Sequence, residues 1–249
     1  MKKILFSFLL VSFFLSCKDV AYKNTKIVGK TSQIDSTTVA DSTYIKVIEP
    51  YKEKMIKEIN TVLTYTPIDL VRTDGNRQST LGNLLADLAY TRANPLFKKE
   101  TGKDIDFALF NYGGIRSGIF TGDVTNRNAF QLMPFENMLV VVELSAEKVQ
   151  ELVNYFTNGN RAHPLSKQVQ LTIRQNGHTL KIHGKPFDKS KTYYVLTSDY
   201  LQSGGDRMDF FKDPVKLYKL DYKVRDAIID YFKSVDTLTS TLDNRVILK

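Results

Sequence analysis

The sequence predicts one mixed α+β (mixed α/β) domain over residues 45–249. Three observations predict it. Helical stripes of apolar residues alternate irregularly with short apolar runs of strand length. Two of those runs lead into Gly-Gly turns, the kind of end at which a sheet opens onto a crevice. The second half also carries apolar and polar residues in alternation around a glycine, the pattern of a hairpin. No internal repeat is present.

The chain begins with a segment of another kind. MKK is a short basic head, followed by ILFSFLLVSFFLS, an apolar run of thirteen residues. A helix needs about 20 residues to span a bilayer, so this run has the length of a signal-peptide core instead. Ser16 and the only cysteine, Cys17, close it. That ending resembles the bacterial lipobox, at which the leader is cut and the cysteine lipidated. Residues 1–17 therefore read as a lipoprotein signal peptide, with an ordinary signal peptide cut nearby as the alternative. The expected location is outside the cytoplasm, lipid-anchored to a bacterial membrane on its periplasmic or outer face. A single thiol leaves no disulfide to form within the chain.

Residues 18–44 are rich in Ser, Thr, Asp and Lys, lack a helical stripe and read as a flexible polar tether, with room for a short strand near IVG. The formal net charge is +8, but Lys and Arg are scattered rather than massed. That balance suits a small phosphorylated ligand or an anionic surface and singles out no nucleic acid polymer.

The elements follow in order. Val47, Tyr51, Met55, Ile59 and Val62 stand at helical spacing. TLGNLLADLAYTRA, from Thr80, puts Leu81, Leu84, Leu85, Leu88 and Ala89 on one face, and Pro95 is expected to close that helix. IDFALF (105–110), MLVVVEL (138–144) and TYYVLTS (192–198) read as buried strands. Ser145 caps a helix with Val149, Leu152, Val153 and Phe156 inward and Glu147 in its first turn. Val169, Leu171 and Ile173 form half of a hairpin turned at Gly177, with Leu180 to His183 as partner. A last helix starts at Val224, and RVIL is a last strand.

Familiar catalytic centres are not written in these residues. There is no HExxH, no GxSxG elbow and no P-loop lysine. The three histidines, His163, His178 and His183, read as surface-loop residues. What remains is two strand ends with one grammar. After IDFALF come Asn111, Gly113, Gly114 and Arg116. The glycines let a ligand approach the main chain, and the arginine can fork two hydrogen bonds onto a phosphate or carboxylate. A plain turn whose arginine covers surface fits the same spacing. After TYYVLTS come Tyr200, Gly204, Gly205 and Asp206. The tyrosine suits a flat ring and the aspartate vicinal hydroxyls, or else a core aromatic and a turn residue. In LMPFEN, Pro134 holds Phe135 in a loop, as a buried plug or as one wall of a slot.

Four segments in this order, GNRQSTLGNLLADLA, FNYGGIRSGIFTGDVT, LMPFENMLVVVELS and YYVLTSDYLQSGGDRM, resemble the C-terminal domain of the 5′-nucleotidase family. The resemblance covers residues 50–249 and implies a mixed sheet flanked by helices. It implies that Phe135 and Tyr200 sandwich a nucleobase, that Arg77, Asn111 and Arg116 contact phosphate and substrate, and that Asp206 binds ribose. Two positions depart from the family pattern. Gly75 stands where many relatives carry a second arginine, and Tyr200 stands where phenylalanine is common. Family enzymes also carry an N-terminal metallophosphatase domain with two metal ions, which this sequence lacks. The resemblance thus implies a substrate-binding component with no catalytic residue and no cofactor of its own, completed by a separate metallophosphatase chain. The alternative is a stand-alone nucleotide-binding lipoprotein. A third reading is a decayed domain kept for structure.

Overall fold

The computed structural model describes residues 22–249. The signal peptide, the lipidation site Cys17 and the first residues of the tether lie outside the described residues. The chain divides into two units, between Ile48 and Glu49. In the first, residues 22–41 are exposed and form no strand at IVG. Their one ordered feature is a turn in which the Asp35 carboxylate accepts from the Thr37 amide (2.9 Å) and hydroxyl (2.6 Å). Helix α1 comprises Ser42–Ile59. Val62, assigned to this helix by its spacing, instead begins a strand, β1 (Val62–Thr66).

The second unit is built on a four-stranded sheet. Its strands are β2 (Phe107–Ala108), β4 (Met138–Leu144), β8 (Tyr193–Ser198) and β9 (Lys216–Lys223), in the order β2-β8-β4-β9. β2 runs parallel to β8, and the other pairs are antiparallel. β4 and β8 are buried along most of their length, as their unbroken apolar runs require. Adjacent side chains on β8 point to opposite faces. Tyr194 meets Phe97 at 5.3 Å between ring centroids, and Tyr193 stacks on Phe187 at 5.4 Å.

Phe97 belongs to α2 (Thr80–Thr101). The Ser79 hydroxyl caps its start by accepting from the Gly82 amide at 3.0 Å. Pro95 does not close this helix, contrary to the sequence expectation. The helix continues because Ala93 and Phe97 carry its buried face past the proline. It ends at Gly102, at φ 73°, whose amide donates to the Lys98 carbonyl. A closing helix, α6 (Val224–Lys233), packs beside α2.

Helix α4 (Ala146–Asn158) lies on the other side of the sheet, its Val149, Leu152 and Phe156 packed among Phe107, Leu171 and Leu180. The latter two come from the hairpin of β5 (Val169–Arg174) and β6 (Gly177–Ile182), which a last strand, β10 (Val246–Leu248), and a short β7 (Lys185–Pro186) extend to a second sheet. Three further elements carry no strong sequence signal. β1 pairs with β3 (Gly122–Thr125), and α3 (Asn126–Leu132) follows, started by a reciprocal Thr125–Asn128 cap. The four-residue helix α5 (Asp199–Gln202) extends β8.

Two buried polar groups tie these layers together. Arg245, 5% exposed, pairs with Asp87 of α2 (2.9 Å) and Asp243 (2.7 Å), and donates to the Leu165 carbonyl (2.7 Å). The second is His163, also 5% exposed, which is not a surface-loop residue as its sequence context suggested. Residues 163–166 run alongside the end of β2. The Phe110 amide donates to the Pro164 carbonyl (2.9 Å), the Ala108 amide to the Ser166 hydroxyl (2.8 Å), and the Tyr112 amide to His163 Nδ1 (3.2 Å).

Burial pushes the His163 imidazole down from 6.5 to about 4. The folded protein therefore holds it neutral, with Nδ1 free to accept. A depressed histidine contributes stability that is present above its unfolded pKa and is lost as pH falls through the folded one. Urea denaturation is expected to show up to about 3 kcal/mol lost between pH 6.5 and 4 from this residue. His163→Gln is expected to remove that slope, and an unchanged slope in the variant contradicts the assignment.

Candidate functional site

Both Gly-Gly turns leave the same end of the central sheet, because β2 and β8 are parallel neighbours. Beyond β2 the chain makes a short 3₁₀ turn, Tyr112–Gly114. Beyond α5 it makes another, Gly205–Arg207. One side-chain bond joins the two turns: Asn111 Nδ2 donates to Asp206 Oδ2 at 2.7 Å. Asp206 sits in the left-handed region at φ 54°. Its second oxygen accepts from the Tyr200 hydroxyl at 3.1 Å, and its carbonyl from the Tyr155 hydroxyl at 3.0 Å. The bond to Asp206, the largest cause, raises the Tyr200 phenol above its usual range.

Around this network lies a crevice of about 250 Å³. Asn111, Gly113, Gly114, Arg116, Phe135, Tyr200 and Asp206 line it, so seven of the ten substrate-site positions expected from sequence come together. Asn137, the last residue of LMPFEN, is an eighth lining residue, one with no site signal of its own in the sequence. Phe135 and Tyr200 are 40% and 44% exposed, so both rings offer surface to a guest rather than being spent in the core.

The glycines do different work from one another. A Cβ on Gly114 would stand 2.8 Å from Asn111 Oδ1, so this glycine leaves room for the asparagine that holds Asp206. A Cβ on Gly205 would enter the Tyr200 ring at 2.5 Å, so this glycine seats the aromatic wall. Gly204 lies behind the crevice and turns the chain at φ 92°. Only Gly113 and Gly114 line the crevice itself.

Arg116 is exposed at the rim. Its Nη1 donates to the Gly113 carbonyl at 3.4 Å, and its guanidinium lies 5.8 Å from the Phe135 ring centroid. Phe135 is fixed from behind. The buried Arg225 donates to the Phe135 carbonyl at 3.2 Å and pairs with Glu136. Glu136 also pairs with Lys223, and these two partners, Lys223 first, pull its carboxyl down to about 2.

Arg77 is placed elsewhere. Its backbone adopts φ 65°, and its guanidinium donates to the Phe156 carbonyl at 2.9 Å and the Thr157 carbonyl at 3.4 Å. It caps the last turn of α4, where unpaired carbonyls attract a cation. It lines neither this crevice nor its neighbour. Two other arginines, Arg72 and Arg161, line a second crevice that shares Gly113 and Arg116 with the first. Among the described residues no group of three or more His, Cys, Asp or Glu is placed to hold a metal ion.

The crevice therefore presents two half-exposed aromatic side chains and a carboxylate, with an arginine at its rim. Asp206 spends one acceptor site on each oxygen, and a carboxylate has about four, so two remain for a ligand's hydroxyls.

Known proteins share this domain. The chain is 29% identical over 227 residues to the trifunctional nucleotide phosphoesterase protein YfkN of Bacillus subtilis, covering 80% of this chain and 15% of that protein. It is 28% identical over 238 residues to the cell wall protein Lmo0130 of Listeria monocytogenes, covering 86% of this chain and 29% of that one. The solved 5′-nucleotidase precursor of Thermus thermophilus superposes with a TM-score of 0.65 at 22% identity, over 82% of this chain and 42% of its own, which shows the shared fold. The chain thus spans less than half the length of these relatives. The family model of the 5′-nucleotidase C-terminal domain matches residues 60–213, and the chain belongs to that family.

Proposed function

We propose that this chain is the nucleotide-binding component of a 5′-nucleotidase-type hydrolase acting in nucleotide catabolism. The base stacks between Phe135 and Tyr200, the ribose hydroxyls bond to Asp206, Asn111 orients that carboxylate, and the anionic tail meets Arg116. The single observation that carries this reading is the Asn111–Asp206 bond of 2.7 Å, which gathers both rings and the arginine around one crevice. The names of the relatives, nucleotide phosphoesterase and 5′-nucleotidase, support the ligand class.

Hydrolysis is assigned to a separately encoded metallophosphatase that docks on this domain and supplies the divalent metals. Lipidation at Cys17 would hold the protein on a bacterial membrane, at its periplasmic or outer face. The cell-wall relative supports an exported location. Two proteins confined to one surface meet at a raised effective concentration without further contacts. The alternative is a stand-alone nucleotide-binding lipoprotein, favoured by the gathering of both rings, Asp206 and Arg116 around one crevice.

Calorimetry with AMP on the purified chain is expected to show binding. Phe135→Ala is expected to weaken it roughly ten- to hundredfold, the range for losing one stacked aromatic. AMP binding that is absent, or equal in the variant, removes the nucleotide reading. Purification of the tagged protein from its own cells is expected to bring down a metallophosphatase whose AMP hydrolysis rises when this chain is added back. A protein that arrives alone, and leaves added metallophosphatase unaffected, points to the stand-alone reading.

A further inference from the structure

Tyr200 carries a group that the stacking role does not use. Stacking takes the face of the ring alone, and the ring is seated without help from its hydroxyl. The Tyr200 amide donates to Asp199 Oδ1 at 2.7 Å, and the Ser203 hydroxyl donates to the Tyr200 carbonyl at 2.8 Å. Gly205 leaves the space in which the ring lies, since a Cβ there would stand 2.5 Å from Tyr200 Cε1 and Cζ. Main-chain bonds and one glycine thus fix the residue at the crevice, and the hydroxyl is left for another task.

That hydroxyl stands at the carboxylate. It donates to Asp206 Oδ1 at 3.1 Å, while Asn111 Nδ2 donates to Oδ2 at 2.7 Å. A phenol has one donor and also acceptor lone pairs. Among the described residues the bond to Asp206 is the only side-chain hydrogen bond of Tyr200, so its donor is spent and its lone pairs are unclaimed. The same bond, ahead of burial, raises the phenol above its usual range, which keeps the donated proton in place. A ligand hydroxyl that donates to the phenol oxygen joins a chain ending on the carboxylate, in which each bond polarises the next. Gly113 leaves the approach to this pair uncovered, since a Cβ there would stand 3.4 Å from Asp206 Oδ2. Tyr200 and Asp206 line the same crevice.

We propose that the Tyr200 hydroxyl is a specificity-determining group that reads the sugar together with Asp206: it accepts from one ribose hydroxyl while the carboxylate accepts from the other. The inference rests on the nucleotide reading and adds a second sugar-reading oxygen to it. One residue then meets two parts of the ligand, the base with its ring and the ribose with its oxygen. A nucleotide stripped of both ribose hydroxyls keeps the first contact and loses the second.

Calorimetry on the purified chain with AMP and 2′,3′-dideoxy-AMP separates the two contacts. In Tyr200→Phe, which keeps the ring at a half-exposed position, AMP affinity is expected to fall about three- to tenfold, the range for one lost hydrogen bond. Dideoxy-AMP affinity is expected to stay within about twofold of the wild type, because its stacking is untouched. Tyr200→Ala, which removes the ring, is expected to weaken both ligands. Equal losses for the two ligands in Tyr200→Phe show that the hydroxyl only seats the ring, and they overturn the inference. Unchanged AMP binding in that variant overturns it too, and leaves the nucleotide reading standing. Absence of AMP binding in the wild type overturns the nucleotide reading and the inference with it.

Discussion

The site depends on one hydrogen bond between side chains ninety-five residues apart, from Asn111 to Asp206 at 2.7 Å. Parallel pairing of β2 and β8 brings their two ends side by side, and this bond locks the turns that follow. Asp206 holds a left-handed backbone, which a non-glycine residue adopts at a cost. That conformation is held by partners on three sides: Asn111, the Tyr200 hydroxyl and the Tyr155 hydroxyl. Gly114 and Gly205 are the steric counterpart of the same bond. One makes space for Asn111 and the other for the ring of Tyr200.

Around that bond, each wall of the crevice is braced from the core. Arg225 holds the loop of Phe135 by its carbonyls, and Glu136 bridges Arg225 to Lys223. His163 holds Tyr112, and Tyr112 carries Arg72. Arg245 ties the C-terminal segment to α2 and to the loop that carries His163, through Asp87 and the Leu165 carbonyl. Buried polar groups of this kind add little net stability when paired, but they are costly to orphan, so they fix one arrangement. The rigid part of the molecule is thus the scaffold of the loops, while Phe135, Tyr200 and Arg116 project into solvent.

Much of this was legible in the residues. The strands at 138–144 and 193–198 and the three helices beginning at Thr80, Ala146 and Val224 carry strong apolar patterns and form where those put them, whereas of the 105–110 run only Phe107–Ala108 pairs as a strand. The lining of the crevice was legible because glycine pairs, a prolyl aromatic and strand-end polar residues leave local marks. Arg77 was not legible, because its partner is the end of a helix some eighty residues later. Nor was the burial of His163, which comes from its packing beside Tyr155 and Phe156 and not from its neighbours in sequence. β1 and β3 leave little mark in the sequence because both are short and only partly buried. Pro95 misled because proline in a helix interior removes a hydrogen bond, a local loss that the burial of Phe97 outweighs.

A crystal structure of this chain soaked with AMP tests the central claim most directly. The base should lie between the rings of Phe135 and Tyr200, with the ribose hydroxyls on Asp206 and the Asn111–Asp206 bond intact. A nucleotide bound elsewhere, or one whose entry parts Asn111 from Asp206, would contradict it.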